Sequence, residues 1–331
     1  MNHAPGTETS GTEYVPLVSI IIPTFNRKTE LLRLLDSITR LDYPASRLEI
    51  VVVDDHSSDG TVEAVKENFP YVHTYRHDRE RWVSAARNTG LSNSKGDFLL
   101  FIDDDNVMDP NCVRELISTF TDPDHPKVGL VGPLMFYLTR PDTVWCAGIK
   151  RNMITSKTTF VGRDEVDRGQ YRLVTESDDF PNCFMASRQS IEAAGPFDAH
   201  NFPINYEESD IARRIQRAGF KILCNPSAKV WHDIEPPLAG GSRNRLFHMG
   251  GAFRAYYMSR NRIIFHRLYS GRVRFACFTT VFLWLFTVFY LRIIIIDSDK
   301  KMGDRLTIAS GYLSGLVDGL SNSISPAFEI P

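Results

Sequence analysis

Between residues 17 and 132, short aliphatic runs alternate with helix-like stretches, and each run halts abruptly at polar residues. "LVSIII" (17–22), "LEIVVV" (48–53) and the start of "FLLFIDDDN" (98–106) have the length and β-branched content of buried strands. Between the first two, "KTELLRLLDSITRL" (28–41) carries Leu31, Leu32, Leu35 and Ile38 at helical spacing. "TVEAVKENF", a strand around "YVHTY", and a helix over "VSAARNTGLSNS" follow in turn. Strands alternating with helices require a mainly parallel sheet covered on both faces, an α/β architecture. In such sheets ligands gather where strands end at their carboxyl termini. Thr24–Arg27, Asp54–Asp55 and Asp103–Asp105 fall at those ends.

The third exit is the most demanding, because Asp103, Asp104 and Asp105 stand in a row after an apolar strand. Like charges so packed repel unless something positive lies among them. A solvated turn is one solution, and a divalent metal holding an anionic substrate is the other. The turn after the first strand reads "PTFNR", with no GxGxxG and no P-loop, so a dinucleotide fold is excluded. Any phosphates must be held by metal and side chains.

The chain of 331 residues has room for one large or two ordinary domains, and its formal net charge of −2 argues against a polyanion or nucleic-acid binder. Cys112, Cys146, Cys183, Cys224 and Cys277 are scattered with no CxxC pair, which fits buried apolar positions in a reducing compartment. Residues 1–16 are polar, lack an apolar signal region and read as a disordered leader, placing the catalytic part in the cytoplasm.

Residues 133–180 are irregular and read as loops and short strands over the substrate side. A helix is expected over "YEESDIARRIQRAGF" (206–220), and "KILCNPSAKVWHD" predicts a strand on each side of Pro226. A basic segment over 236–274 then leads to an uncharged stretch from Phe275 to Leu291, extended past Arg292 by four isoleucines. The 22 positions of 275–296 would span roughly 33 Å as a helix, about the hydrocarbon thickness of a bilayer. Arg260, Arg262, Arg267, Arg272 and Arg274 precede it, which puts the N-terminal side in the cytoplasm. In the tail over 297–331, Gly311, Gly315 and Gly319 recur every four residues, either as a close-packing helix face or as a mobile end.

"VSIIIPTFNR", "VVVDDHSSDGT", "ARNTGLSNSKGDFLLFIDDDN" and "NYEESDIARRIQRAGFKI" together resemble the four blocks of the family 2 glycosyltransferases, in the expected order. The resemblance implies a GT-A nucleotide-sugar-binding fold over 17–235, with a nucleotide half (17–132) and an acceptor half (133–235). It implies that Asp103–Asp105 is the DxD motif, with Asp105 on Mg²⁺ or Mn²⁺ and Asp103 toward the nucleoside; Asp104 could share either role. Asp54 or Asp55 would accept from the nucleobase, the other stabilising the turn toward Thr61. Pro23, Thr24, Asn26 and Arg27 would line the nucleoside pocket, with Arg87 and Asn88 facing the same cleft. Glu208 matches the family's base position, where Glu replaces the more usual Asp and Glu207 competes. His232 falls where the family often has a histidine reaching the metal or diphosphate. Arg260, Asn261 and Arg262 resemble a block of rhamnosyltransferase-like members that could contact diphosphate on donor or lipid.

No QxxRW block of processive synthases occurs, so a single-addition enzyme is expected. It would be an inverting, metal-dependent glycosyltransferase moving one sugar from a nucleotide sugar to a glycan or lipid-linked acceptor at the cytoplasmic face of the cell membrane. A nucleotidyltransferase would show a Gly-rich turn after its first strand, and a silent membrane-bound scaffold would show broken motifs.

Overall fold

The computed structural model describes residues 15–234, 251–296 and 300–330. Most of the leader expected over 1–16, and the start of the basic segment expected over 236–274, lie outside them.

The first half is built from β1 (Val18–Thr24), α1 (Lys28–Ile38), β2 (Leu48–Asp54), α2 (Thr61–Asn68), β3 (His73–Arg76), α3 (Trp82–Ser92) and β4 (Phe98–Ile102). These strands lie in the order β4-β1-β2-β3, all parallel. The aliphatic runs are continuous because both faces of β1 are covered. Ile20 and Ile22 pack with Leu31, Leu34 and Leu116 on one side, while Ile21 packs with Leu99, Phe101 and Ile211 on the other. α3 lies so close to β1 that a Cβ on Gly90 would stand 2.3 Å from Ile21 Cγ2.

The second half adds β5 (Asn106–Met108), α4 (Cys112–Thr121), β6 (Val128–Tyr137), β7 (Arg140–Cys146), β8 (Ile149–Arg151), β9 (Thr158–Phe160), β10 (Thr175–Glu176), β11 (Cys183–Ser187), α5 (Arg188–Ala194), α6 (Glu207–Arg217) and β12 (Lys221–His232). β11 enters antiparallel between β4 and β6, and β6 pairs in parallel with β12. The two strands expected around Pro226 are one strand. A register shift between Asn225 and Lys229 takes the proline out of the ladder, where its missing N–H costs nothing. The short β5 pairs antiparallel with the end of β12, setting His232 opposite Asn106. That pairing is what brings the end of β12 to the aspartate triplet.

Among the described residues three helices follow: α7 (Gly251–Tyr269), α8 (Arg272–Ile295, with a π-turn over Phe278–Phe282) and α9 (Met302–Ser321). The spaced glycines form the face of α9 that meets α7. A Cβ would come within 2.5 Å of Ala252 O at Gly311 and 2.2 Å of Tyr256 O at Gly315, so no side chain fits there. α8 is long and apolar enough to cross a membrane, and one third of it is buried. Its inner residues Phe278, Leu283, Tyr290, Ile293 and Ile294 pack with Ala255, Ile263, Tyr312 and Leu316 from α7 and α9. From Phe278 onward it is therefore packed along one side against α7 and α9 rather than free of the domain. Val281, Trp284, Leu285 and Val288 on α8, and Leu306, Leu313 and Val317 on α9, face outward and are exposed.

Candidate active site

The carboxyl ends of β1, β2 and β4, the end of β12 and the start of α6 surround a cavity of about 770 Å³, whose remaining wall comes from β7–β9 and their loops, the segment at 179–182, and α7 and α8. Each aspartate of the triplet has a cation. Asp103 accepts from Arg87 Nη2 at 2.8 Å. Asp104 lies 3.3 Å from Arg27 Nη1 and accepts from the Thr24 hydroxyl at 2.8 Å. Asp105 meets the same Arg27 nitrogen at 2.6 Å and His232 Nε2 at 3.4 Å. The repulsion that the sequence poses is thus relieved by protein cations as well as by anything bound. Burial pushes the Asp104 carboxyl up to about 7, with Arg27 pulling the other way. Burial also acts on Asp105, but hydrogen bonding and charge from His232, with Arg27, hold it well below the usual carboxylate range.

At the end of β2 the adjacent aspartates point in different directions. Asp54 turns inward to accept from Ser57 N at 3.1 Å and meets Arg76 Nε at 3.2 Å. Asp55 lines the cavity and accepts from Arg81 N, Trp82 N and His77 Nδ1 at 2.8, 2.7 and 2.6 Å. Pro23, Thr24 and Arg27 also line it. Asn26 is placed elsewhere. In the left-handed region at φ 51°, it accepts from Ser58 N at 2.8 Å and so ties the loop after β1 to the loop after β2.

Glu207 and Glu208 open α6, after Asn205 and Tyr206 in the left-handed region at φ 61° and 71°. Glu208 Oε1 accepts from Arg87 Nη2 at 2.9 Å and from Asn182 N at 2.7 Å, so both recorded bonds fall on one oxygen. Glu207 Oε1 lies 3.5 Å from Arg87 Nη1, and its Oε2 is buried without a partner. Burial raises the affinity of both carboxyls for a proton. For Glu207 the neighbouring Glu208 adds to the effect, whereas Arg87 opposes it at both. Of the two, Glu208 is the more open to a ligand: its side chain is 18% exposed against 8% for Glu207, whose unpartnered oxygen is buried.

Several sequence-predicted contacts prove to be supports. Arg87 has no exposed side-chain surface and stands behind Asp103, Glu207 and Glu208 rather than in the cavity. Asn88 clamps the backbone of Phe197, donating to its carbonyl and accepting from its N–H, both at 2.8 Å. Arg260 donates to Ser323 O and Asn201 O, and Asn261 to Ile204 O and Asn205 O, so this pair braces α7 against the loop entering α6. These are corrections: Asn88, Arg260 and Asn261 take these places because backbone carbonyls buried at the junction need donors, whereas Arg87 is drawn in by three carboxylates. Arg262, by contrast, lines the cavity.

Other wall residues were not anticipated. Asn182, at φ 67°, has its Nδ2 2.9 Å from His232 Nε2. Trp82 stacks on Phe253 with centroids 4.2 Å apart. Arg254 and Met258 join the expected Arg262 at four-residue spacing along one face of α7, and Phe286 and Tyr290 are likewise four apart along α8. That spacing is legible in sequence, but nothing local says which helix face meets the cavity.

Asp105 and His232 are a carboxylate and an imidazole converging at one edge, and the buried Asn182 Oδ1 beside them lacks a partner. Mg²⁺ and Mn²⁺ take oxygen-rich sets completed by substrate phosphates and water, so this donor set fits such an ion. Among the described residues no cluster of three or more His, Cys, Asp or Glu side chains forms a metal cage.

The family model described as Glycosyl transferase family 2 matches residues 19–193, more than half of the 331-residue chain. An uncharacterized glycosyltransferase of Haemophilus influenzae is 36% identical over 132 residues, covering 38% of this chain and 44% of the relative. A dolichyl N-acetyl-alpha-D-glucosaminyl phosphate 3-beta-D-2,3-diacetamido-2,3-dideoxy-beta-D-glucuronosyltransferase of Methanococcus voltae is 30% identical over 125 residues, covering 36% of this chain and 39% of that protein. The chain thus spans less than half the length of these curated relatives. Among solved structures, a mannosyltransferase of Pyrobaculum calidifontis in complex with GDP-Man and Mn²⁺ has the same fold. Its TM-score is 0.54 at 19% identity, over 95% of this chain and 78% of that one.

Proposed function

The chain belongs to glycosyl transferase family 2, and from that premise we propose that it is an inverting, metal-dependent enzyme moving one sugar from a nucleotide-diphosphate sugar to a hydroxyl of a lipid-linked glycan at the cytoplasmic face of a membrane. The observation that carries the reading is that one cavity is lined by Asp103–Asp105, by Glu208 and by the apolar-faced helix α8. Nucleotide, base and membrane side therefore meet at one point.

Thr24, Arg27, Asp55 and the aspartate triplet hold the donor. Asp105 and His232 would hold the cation, which when bound neutralises the charge growing on the leaving diphosphate. Glu208 takes the proton from the acceptor hydroxyl. The hydroxyl oxygen bonds to the anomeric carbon while that carbon's bond to the diphosphate oxygen breaks on the opposite face, which inverts the configuration. The nucleoside diphosphate leaves and the proton rests on Glu208. Arg87 and Asn182 N keep the carboxylate aimed, so its reach as a glutamate is set by the scaffold.

Metal use is supported by the convergence of Asp105 and His232 and by the Mn²⁺ named with the mannosyltransferase. A lipid-linked acceptor is supported by the dolichyl phosphate sugar in the name of the Methanococcus voltae relative. Membrane attachment is supported by the exposed Trp284, Leu285 and Val288 beside Leu313 and Val317, an apolar face too continuous for a lone soluble helix.

The test is a melting-temperature panel with UDP, GDP, dTDP and CDP, each with and without Mn²⁺, followed by transfer assays on membrane extracts. One nucleotide should stabilise the wild type only with metal, and Asp105→Ala should lose the effect. Glu208→Gln should keep donor binding and lose transfer. Unimpaired transfer by Glu208→Gln removes it as base, and no response to any nucleotide makes the chain a silent member of its fold.

A further inference from the structure

Arg262 is a buried cation with no ion-paired carboxylate among the described residues. Only 7% of the residue is exposed, and it lies on the cavity wall. Its guanidinium sits over the rings of Phe286 and Tyr290, 4.6 and 4.9 Å from their centroids. Nε donates to the Tyr206 hydroxyl at 3.3 Å and Nη2 to the Tyr290 hydroxyl at 2.9 Å. Among the described residues, Nη1 is buried with no partner and no carboxylate forms an ion pair with Arg262. Arginine does not escape such a position by losing its proton. The aromatic rings cover its faces, so what remains is an in-plane N–H pair suited to two oxygens of an anion.

The surroundings say which anion. Arg254, on the same face of α7, is eight residues and so about 12 Å away, with Arg27, Glu207 and Asp103 as its charged neighbours. Arg254 thus belongs to the donor end of the cavity. Arg262 belongs to the other end: its partner Tyr206 directly precedes Glu207 and Glu208, and its partners Phe286 and Tyr290 come from α8. The outer residues of α8 at that level, Trp284, Leu285 and Val288, are exposed and apolar. An anion at Arg262 therefore has the base on one side and an apolar surface on the other.

We infer that Arg262, framed by Tyr206, Phe286 and Tyr290, anchors the phosphate of the acceptor, a phosphate ester whose hydrocarbon chain leaves along α8. This rests on the membrane-side glycosyltransferase reading above and names its acceptor class. Free phosphate shares the head-group chemistry but not the hydrocarbon.

The experiment is a binding titration followed by melting temperature, with geranyl phosphate, geraniol and inorganic phosphate as separate probes and UDP or GDP with Mn²⁺ as the donor control. It uses the full chain in detergent. Geranyl phosphate should stabilise the wild type while geraniol and inorganic phosphate at equal concentration do not. Arg262→Met should weaken geranyl phosphate by about tenfold to a hundredfold, as expected for loss of a charged hydrogen-bond donor. The same variant should keep its nucleotide response, which also shows that it folds. Arg262→Lys, which keeps the charge without the planar fork, should fall between the two. No response of the wild type to geranyl phosphate overturns the inference, as does an equal response of Arg262→Met or of inorganic phosphate. Loss of the nucleotide response in a folded Arg262→Met also overturns it, by moving Arg262 to the donor. If geranyl phosphate binds through Arg262 but no nucleotide binds, the acceptor site stands and the transferase reading falls.

Discussion

Replacing Arg87 with methionine tests whether the candidate site is held together electrostatically. The side chain has no exposed surface and meets Asp103 and Glu208 at 2.8 and 2.9 Å and Glu207 at 3.5 Å. Methionine is close to it in volume, so the packing change is small and the main loss is charge. Three carboxylates would then share a pocket without their cation. Breaking a buried pair by removing one partner costs about 3–5 kcal/mol. At roughly 2–4 °C per kcal/mol for a chain of this class, the melting temperature should drop by roughly 6–20 °C near neutral pH. The penalty should depend on pH, with a sign that can be worked out. In the variant the stranded carboxyls keep their protons to higher pH than they do in the unfolded chain. The native state then binds more protons than the unfolded one, and stability rises as the pH falls toward the ordinary carboxylate value of about 4.3. The gap between variant and wild type should therefore narrow in acid and widen above neutrality. Adding Glu207→Gln to the variant should recover part of the loss, because one of the stranded charges is gone. Scanning calorimetry across pH 5 to 8.5 (an experimental range of about 3.5 units) reads all of this. A variant melting within about 2 °C of wild type at every pH would refute the reasoning, since the carboxylates would then not depend on Arg87.

Two further outcomes follow from the same geometry. Burial first, with Asp103 adding and Arg87 opposing, raises the proton affinity of Glu208, so the acid limb of kcat/KM should lie above the ordinary glutamate value of about 4.3. Activity is lost as the pH falls through that raised value, and a limb at the unperturbed value would show that Glu208 is not the group titrating. Gly315→Val places a side chain where Tyr256 O and Ser259 Oγ stand 2.2 Å from a Cβ, and should cost about 1–3 kcal/mol by forcing α9 off α7. Gly303→Val, with nothing within 4 Å of its Cβ, is the control for helix propensity alone, and equal melting of the two variants would refute the close-packing role.

Much of the catalytic half is legible in the chain because it depends on short-range rules. The period of the aliphatic runs sets strand against helix, and the abrupt polar stops at Thr24, Asp54 and Asp103 mark strand ends where a parallel sheet gathers ligands. The glycines of α9 likewise announce themselves by spacing, though their alternative reading as a mobile end is removed only by the carbonyls of α7 that they meet.

What local rules leave open is decided by partners distant in sequence. Asp54 and Asp55 are chemically equivalent neighbours until the chain packs. Then Ser57 N takes one inward, while Arg81 N and Trp82 N hold the other at the cavity. Arg87 reads as a ligand contact from its motif, yet Glu208, 121 residues away, draws it behind the carboxylates. Arg260 and Arg262 are two positions apart on one helix and serve different ends, because a helix turns about 100° per residue and sends them to different neighbours. The apolar stretch around Phe286 has the length of a membrane span in one dimension, but whether it stands off the domain or forms a wall of the cavity depends on the faces of α7 and α9. Periodicity and end signals are properties of a few consecutive residues. Burial, ion pairing and the direction a side chain takes are sums over everything that packs around it, and these exist only once the chain has closed on itself.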